Sequence, residues 1–350
     1  MHRITSQRLA ILILFIGLPA IGWQTGPAAY AAQATDDKTG AARDARFAFP
    51  PPVNALEAMR IATYSYDHDL PLNPELKPLD EDDNNQRFHL VYDSVHDQRV
   101  TAIVAIPKRF APPYPAIVLM HGSGGHKDAD YIRAISLNLT RQGFATISID
   151  AQYRGERARP GRSGDLQPDS YSFRDAWIQT VIDLRRSVDY MESRSDIDRT
   201  KIGYLGFSMG AMLGSVVGGV ESRLGCFLLA VPGGGFVNLA KNIDKYPTLR
   251  EHWPLKLTPD VMQRVQDFAN VADPIYFVGR ILPRPLLIFV AKHDELIPPE
   301  SSAMLVEAAH AREGENVKRM ETGHVLTPAV IFDVRDFFNA QFGKRTAVKL

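Results

Sequence analysis

The sequence predicts an α/β protein: a mostly parallel, doubly wound sheet with helices on both faces and a helical cap inserted late in the chain. Three observations predict it. Short apolar runs recur at 116–120, 145–149, 202–207, 226–231 and 285–290, and such continuous runs mark strands buried on both faces. Helix-like segments separate them, so strand and helix alternate in the way that builds a parallel sheet. The stretch 236–283, between two core strands, exceeds ordinary loop length and carries its own helical pattern.

The elements follow in order. Arg3 and Arg8, the apolar run 9–23 and the small-x-small step Ala29-Tyr30-Ala31 read as a secretory signal peptide over 1–31. The run is short for a spanning helix, which needs about 20 residues. No twin-arginine pair precedes it, and the single cysteine, Cys226, lies far downstream, so no lipid anchor is expected. The expectation is an exported protein, periplasmic or secreted, without stable membrane anchoring once the signal is cleaved.

The removed segment carries two arginines and no acid, which leaves 319 residues with two more acids than bases. That length suits one large α/β domain, and the balance does not suggest nucleic acid. One cysteine makes no internal disulfide, so the core must supply the stability. Cys226, inside an apolar run, reads as a buried small hydrophobe.

A leader and N-terminal extension are expected over 32–87, with Pro50-Pro51-Pro52 as a stiff linker and 55–86 irregular. The acidic run Asp80-Glu81-Asp82-Asp83 reads as a solvated loop. The catalytic domain is expected over 88–345. It opens with a hairpin of 89–92 and 100–106 around a polar turn at 95–98. Helix follows over 131–141, ending before Gly143. Phe173, Trp177, Val181, Leu184, Val188 and Met191 recur at three- and four-residue steps and mark a long helix. In the insertion Thr258 caps a helix that Pro259 opens, with Val261, Val265 and Phe268 on one face. The last helices are expected over 302–310 and 329–342.

The chemistry centres on Gly206-Phe207-Ser208-Met209-Gly210. An apolar strand leads in and a helix-like stretch leads out, the context in which Gly-x-Ser-x-Gly holds a serine on a sharp turn. The alternative is an ordinary glycine-rich turn. In this architecture an acid and then a histidine follow the serine, and the histidine takes the hydroxyl proton. His293 precedes the candidate acids, and His310 ends a helix, where a cation suits the dipole. His324, in Glu321-Thr322-Gly323-His324-Val325, is the expected base. Only Asp294 and Glu295 closely follow an apolar strand; Asp294 is chosen as the acid, with Glu295 as the alternative. His121-Gly122-Ser123-Gly124-Gly125 follows the strand at 116–120 and is expected to give one oxyanion donor. Ser123 N–H is assigned, with Gly122 or Gly124 as alternatives, and Met209 N–H is the second donor. His121 is expected to brace this loop.

These residues together resemble an α/β-hydrolase of the dienelactone hydrolase-like and prolyl-oligopeptidase-like branch. The resemblance rests on His121-Gly122-Ser123-Gly124-Gly125, Gly206-Phe207-Ser208-Met209-Gly210, Asp294 with Ile297-Pro298, and Gly323-His324, and spans about residues 88–345. Dienelactone hydrolase uses a cysteine where Ser208 stands, and residues 32–87 are too short for the oligopeptidase propeller. Both departures point to a stand-alone serine esterase. The resemblance implies an α/β-hydrolase fold and a Ser208-Asp294-His324 triad acting on a small-molecule ester, with no cofactor and no metal. A peptidase or amidase would use the same residues, and a non-catalytic binding protein on this scaffold is the third class. Two further features are discounted. Gly343-Lys344-Arg345-Thr346 lacks the earlier glycine of a phosphate-binding loop. Arg154, Arg157, Arg159 and Arg162 could attract an anion, but such a loop is more often solvated. Tyr246, Trp253 and Phe268 of the insertion are expected to wall a substrate pocket.

Overall fold

The computed structural model describes residues 47–161, 170–254 and 256–347. The expected signal segment, the leader up to residue 46 and Arg162 lie outside the described residues.

Among the described residues nine strands form one sheet: β1 (Glu75–Glu81), β2 (Asn85–Asp93), β3 (Arg99–Pro107), β4 (Tyr114–Met120), β5 (Ala145–Ile149), β6 (Ile197–Phe207), β7 (Cys226–Ala230), β8 (Leu286–Ala291) and β9 (Val317–Met320). Their order is β1-β2-β3-β5-β4-β6-β7-β8-β9. The first three pair antiparallel, β3 meets β5 antiparallel, and every pairing from β5 to β9 is parallel. The expected hairpin is β2–β3, with Leu90 opposite Ala102.

The sheet is covered on both faces, and the strand period of two decides which side chain goes where. Ile117 and Leu119 of β4, Leu205 of β6 and Phe289 of β8 face a cluster built with α2 (Asp130–Thr140) and α9 (Val330–Phe342). Val118, Tyr204, Leu229 and Ile288 face the opposite cluster, under α3 (Tyr171–Ser193) and α4 (Met209–Val220). Every residue of α4 is buried, so the helix that follows Ser208 sits inside the protein and cannot shift without disturbing the core. Cys226 is fully buried, and burial pushes its thiol pKa up, as expected of a small hydrophobe.

The stretch 55–86 is not irregular throughout. It contains a short helix, α1 (Ala55–Ala62), and the edge strand β1, in which Asp80 and Glu81 pair with Arg87 and Gln86. All of β1 is exposed. Its residues, Glu-Leu-Lys-Pro-Leu-Asp-Glu, carry no buried stripe to reveal the strand. Charges and a proline are instead what protects an edge from further pairing.

The insertion between β7 and β8 folds into α5 (Phe236–Lys241), α6 (Pro247–His252) and α7 (Pro259–Ala272). Thr258 caps α7, its side chain accepting from Val261 N–H at 3.2 Å. Phe236 of α5 and Phe268 of α7 stack with centroids 5.2 Å apart, and Trp177 of α3 meets Phe268 edge-on at 5.6 Å. Asp273 closes the insertion on itself. Its buried carboxylate accepts the N–H groups of Gly235 at 2.9 Å and Phe236 at 2.7 Å, while burial raises its pKa. The last helix before the final strand is α8 (Pro299–Ala308). Among the described residues no helix is long and apolar enough to cross a membrane.

Candidate active site

Strand register brings four loops to one edge of the sheet. Met120 pairs with Gly206, Phe207 with Ala230, and Ala291 with Met320. The loops after β4, β6, β8 and β9 therefore leave the sheet side by side at its carboxyl edge, where open α/β sheets gather ligands. They carry, in turn, His121–Gly125, Ser208, Asp294 and His324.

Ser208 joins β6 to α4 with φ 52° and ψ −116°, a conformation that costs a non-glycine residue about 1–3 kcal/mol and persists only when its surroundings impose it. Its N–H donates to Ala230 O of β7 at 2.8 Å. The flanking glycines are steric necessities: a Cβ on Gly206 would lie 2.2 Å from Gly210 O, and one on Gly210 would lie 2.4 Å from Met120 O.

His324 stands between serine and acid. Its Nδ1 lies 2.9 and 3.0 Å from the Asp294 oxygens, and its Nε2 lies 2.9 Å from Ser208 Oγ. A carboxylate only accepts, so Nδ1 carries the proton and donates to Asp294. Nε2 is then the free lone pair, and Ser208 Oγ donates to it. Asp294 is held by its own chain, Oδ1 accepting the N–H groups of Leu296 at 2.9 Å and Ile297 at 2.7 Å. Its side chain is 4% exposed against 12% for His324, which keeps the pair largely out of water. Glu295 turns elsewhere: its Oε2 accepts the backbone N–H of His324 at 3.0 Å. His293 and His310 stand apart. His293 is exposed beside Glu321, and His310 follows α8 with φ 51°.

In the loop expected to give an oxyanion donor, Gly122 N–H donates to Tyr131 Oη at 2.8 Å and is therefore not free for that part. Ser123 and Gly124 remain as loop donors. Met209 opens α4, so its N–H has no acceptor within the helix. Tyr131 escaped notice in the sequence, where it reads only as the start of a helix. Burial and its edge-on contact with Phe207 fix its ring, and burial raises its pKa to about 12. His121 braces the loop. Nδ1 donates to Gly122 O at 2.7 Å and Nε2 accepts from Ala151 N–H at 3.2 Å. Burial lowers its pKa to about 4, so it is neutral at pH 7.

The arginine loop is not simply solvated. Arg157 is buried, paired with Asp183 Oδ2 at 2.7 Å and donating to Asp150 O at 3.1 Å. Arg154 Nη2 donates to Ser123 Oγ at 3.2 Å, which ties this loop to the glycine-rich loop after β4. Beside Met209 lies a narrow cavity of about 20 Å³, walled by Ala151, Gln152, Phe173, Trp177, Met209 and Leu213 among others. Tyr246, Trp253 and Phe268, expected to wall a pocket, do not line it. Phe268 backs Trp177, and Trp253 is buried. Among the described residues no cluster of three or more His, Cys, Asp or Glu side chains is arranged to hold a metal ion.

Two family models match the chain: acetyl xylan esterase (AXE1) over residues 63–233 and the prolyl oligopeptidase family over 173–332. The YtaP protein of Bacillus subtilis (strain 168) is 25% identical over 283 residues, covering 74% of this chain and 89% of that protein. Among solved structures, the acetyl xylan esterase from Paenibacillus sp. R4 superposes with a TM-score of 0.66 at 19% identity, covering 84% of this chain and 97% of the other. Acetyl xylan esterase 1 from Thermoanaerobacterium sp. JW/SL YS485 gives 0.66 at 16% identity, covering 85% and 96%.

Proposed function

Because this chain belongs to the α/β-hydrolase superfamily and holds a serine, a histidine and an aspartate in one hydrogen-bonded row, we propose that it is a serine hydrolase cleaving carboxylic esters through an acyl-enzyme. Ser208 Oγ attacks the ester carbonyl as His324 Nε2 takes its proton. Asp294 stays ionised, keeps Nδ1 protonated and stabilises the imidazolium that forms. The N–H groups of Met209 and Ser123 receive the negative charge that develops on the carbonyl oxygen. The imidazolium returns its proton to the departing alcohol. Water then attacks the acyl carbon as it gives a proton to the same nitrogen; the bond from that carbon to Ser208 Oγ breaks, the imidazolium returns the proton to Oγ, and the acid leaves.

The observation that carries this reading is the 2.9 Å contact from Ser208 Oγ to His324 Nε2, with a nearly buried carboxylate on the far side of the ring. Short acyl groups are favoured. The cavity beside Met209, at about 20 Å³, exceeds by little the space that one water needs, and two of the similar structures are acetyl esterases by name. The match to the prolyl oligopeptidase family over 173–332 supports amide cleavage as the second reading, since the same residues serve it.

A fluorophosphonate probe should label Ser208, and Ser208→Ala should lose both labelling and turnover of p-nitrophenyl acetate. Undiminished turnover in Ser208→Ala would end the proposal. A panel of p-nitrophenyl esters of rising chain length, run beside an aminoacyl anilide, separates ester from amide preference.

A further inference from the structure

We propose that Glu295 is a positioning residue: its carboxylate holds the backbone of His324 so that the imidazole meets Ser208 and Asp294 at once. The inference rests on His324 being the base.

His324 sits on a loop whose nearest other backbone tie lies two residues earlier, where Thr322 O accepts His293 N–H at 3.0 Å. Glu321 and Val325 are exposed, and Thr322 and Gly323 are only half-buried. The ring is fixed by its two hydrogen bonds. The backbone beneath it is fixed by Glu295 Oε2, which accepts His324 N–H at 3.0 Å. One residue earlier, a Cβ on Gly323 would lie 2.7 Å from the same oxygen. The carboxylate thus occupies the space that a side chain at 323 would need. Asp294 and Glu295 therefore grip one histidine at both ends, the first at ring Nδ1 and the second at the main chain. Asp294 itself is anchored through Leu296 and Ile297, so both grips come from one rigid turn after β8.

A carboxylate accepting a backbone N–H makes a stronger bond than a neutral acceptor, but water competes for this exposed one. Its contribution to folding is therefore small and its effect on geometry decisive. Attack requires Oγ and Nε2 to stay aligned, and misplacement by about 1 Å costs on the order of 10²-fold in rate. Glutamine at 295 keeps an acceptor oxygen of the same reach. Alanine removes it. Alanine at 323 expels the carboxylate without altering residue 295, and Gly323 does not occupy the left-handed region, so its backbone accepts the change.

The test measures kcat and KM for p-nitrophenyl acetate, with melting temperature, in four variants. Glu295→Ala and Gly323→Ala should each lower kcat by about 10- to 100-fold, with KM and melting temperature close to wild type. Glu295→Gln should retain kcat within a few-fold. The double variant Glu295→Ala/Gly323→Ala should be no slower than the slower single one, because both break the same contact. Wild-type kcat in Glu295→Ala overturns the inference. So does Glu295→Gln as slow as Glu295→Ala, which would make the charge the active feature, and so does an additive double variant. If Glu295→Ala does not fold, Gly323→Ala carries the test alone. His324→Ala, run alongside, reports on the underlying reading: an unimpaired His324→Ala removes His324 as the base, whereas damage there with an unimpaired Glu295→Ala removes only the role of Glu295.

Discussion

Adjacent carboxylates at 294 and 295 differ in what they touch, and that difference predicts different losses. Asp294 meets the imidazole at Nδ1; Glu295 meets only the main chain of His324. Asp294→Asn keeps size but offers the ring an amide where it needs an ionised acceptor. The imidazole then favours the wrong tautomer, and its cation loses its partner, a change that in serine proteases costs about 10⁴ in turnover. Comparing kcat of Asp294→Asn with that of Glu295→Gln checks the assignment. A more damaged Glu295→Gln would make Glu295 the acid. Strand ends point to Ser208 and this pair of acids as candidates, since each follows a buried strand, whereas His324 follows the mostly unburied β9 and is picked out by its order in the chain and its loop before the last helix. What no sequence pattern exposes is a side chain acting on a distant backbone group. Glu295 on His324 N–H and Tyr131 on Gly122 N–H are both of that kind, as is the loss of Gly122 as an oxyanion donor.

At the scale of elements, the cavity beside Met209 is shaped mainly by α3 and α4, with the insertion standing behind. Trp177 has a double position. It lines the cavity and packs against Phe173, Phe236 and Phe268. Its indole Nε1 is buried without an acceptor among the described residues. Helical periodicity revealed Trp177 as a core residue but not that the core is hollow beside it. Aromatic content alone suggested Tyr246, Trp253 and Phe268 as pocket walls, yet a helix pattern says which side chains are buried and not what they are buried against. The strands missed in the sequence, β1 and β9, fail for the opposite reason. They bury nothing or, in β9, chiefly Val317, so no alternation marks them. Shortening Trp177 should lengthen the acyl groups accepted. Trp177→Leu keeps an apolar side chain and most of the packing. Its ratio of kcat/KM for p-nitrophenyl hexanoate over acetate should rise by at least about tenfold relative to wild type, the scale on which one or two methylenes discriminate in an apolar pocket. An unchanged chain-length profile in the folded variant would show that the cavity does not hold the acyl chain.

Across the whole molecule, buried charges bind the N-terminal extension to the sheet domain. Glu221, at the end of α4, accepts from Arg185 Nε at 3.1 Å and from Arg223 Nη2 at 2.7 Å. The two arginines reach on to the extension, Arg185 to Tyr64 O at 2.6 Å and Arg223 to Tyr66 Oη at 3.3 Å. Arg186, also of α3, donates to Leu70 O at 2.8 Å. Despite near-complete burial, which acts to raise it, the Glu221 pKa is lowered from 4.5 to about 2 by the hydrogen bonds and charges of Arg223 and Arg185. A carboxyl with a depressed folded pKa contributes stability above its unfolded pKa and loses it as pH falls toward the folded one. The window here runs from about pH 4.5 down to about 2, and the full contribution is about 3 kcal/mol at pH 7. Glu221→Gln should therefore lower the unfolding free energy at pH 7 by about 3–5 kcal/mol, since it leaves buried arginines without their counter-charge. The gap between the variant and wild type, measured by urea unfolding, should narrow by about 2 kcal/mol between pH 7 and pH 3, because Glu221 of the unfolded wild-type chain takes up a proton there while the folded one stays ionised. His121 adds a second slope in the same direction. Its pKa is depressed from 6.5 to about 4 by burial, so stability falls below pH 6.5 as the unfolded chain's histidine takes up a proton that the folded one refuses, equally in both proteins. Subtracting the two curves removes that slope and isolates Glu221. A gap that stays constant down to pH 3, or one absent at pH 7, would show that the extension is held by packing and not by this charge.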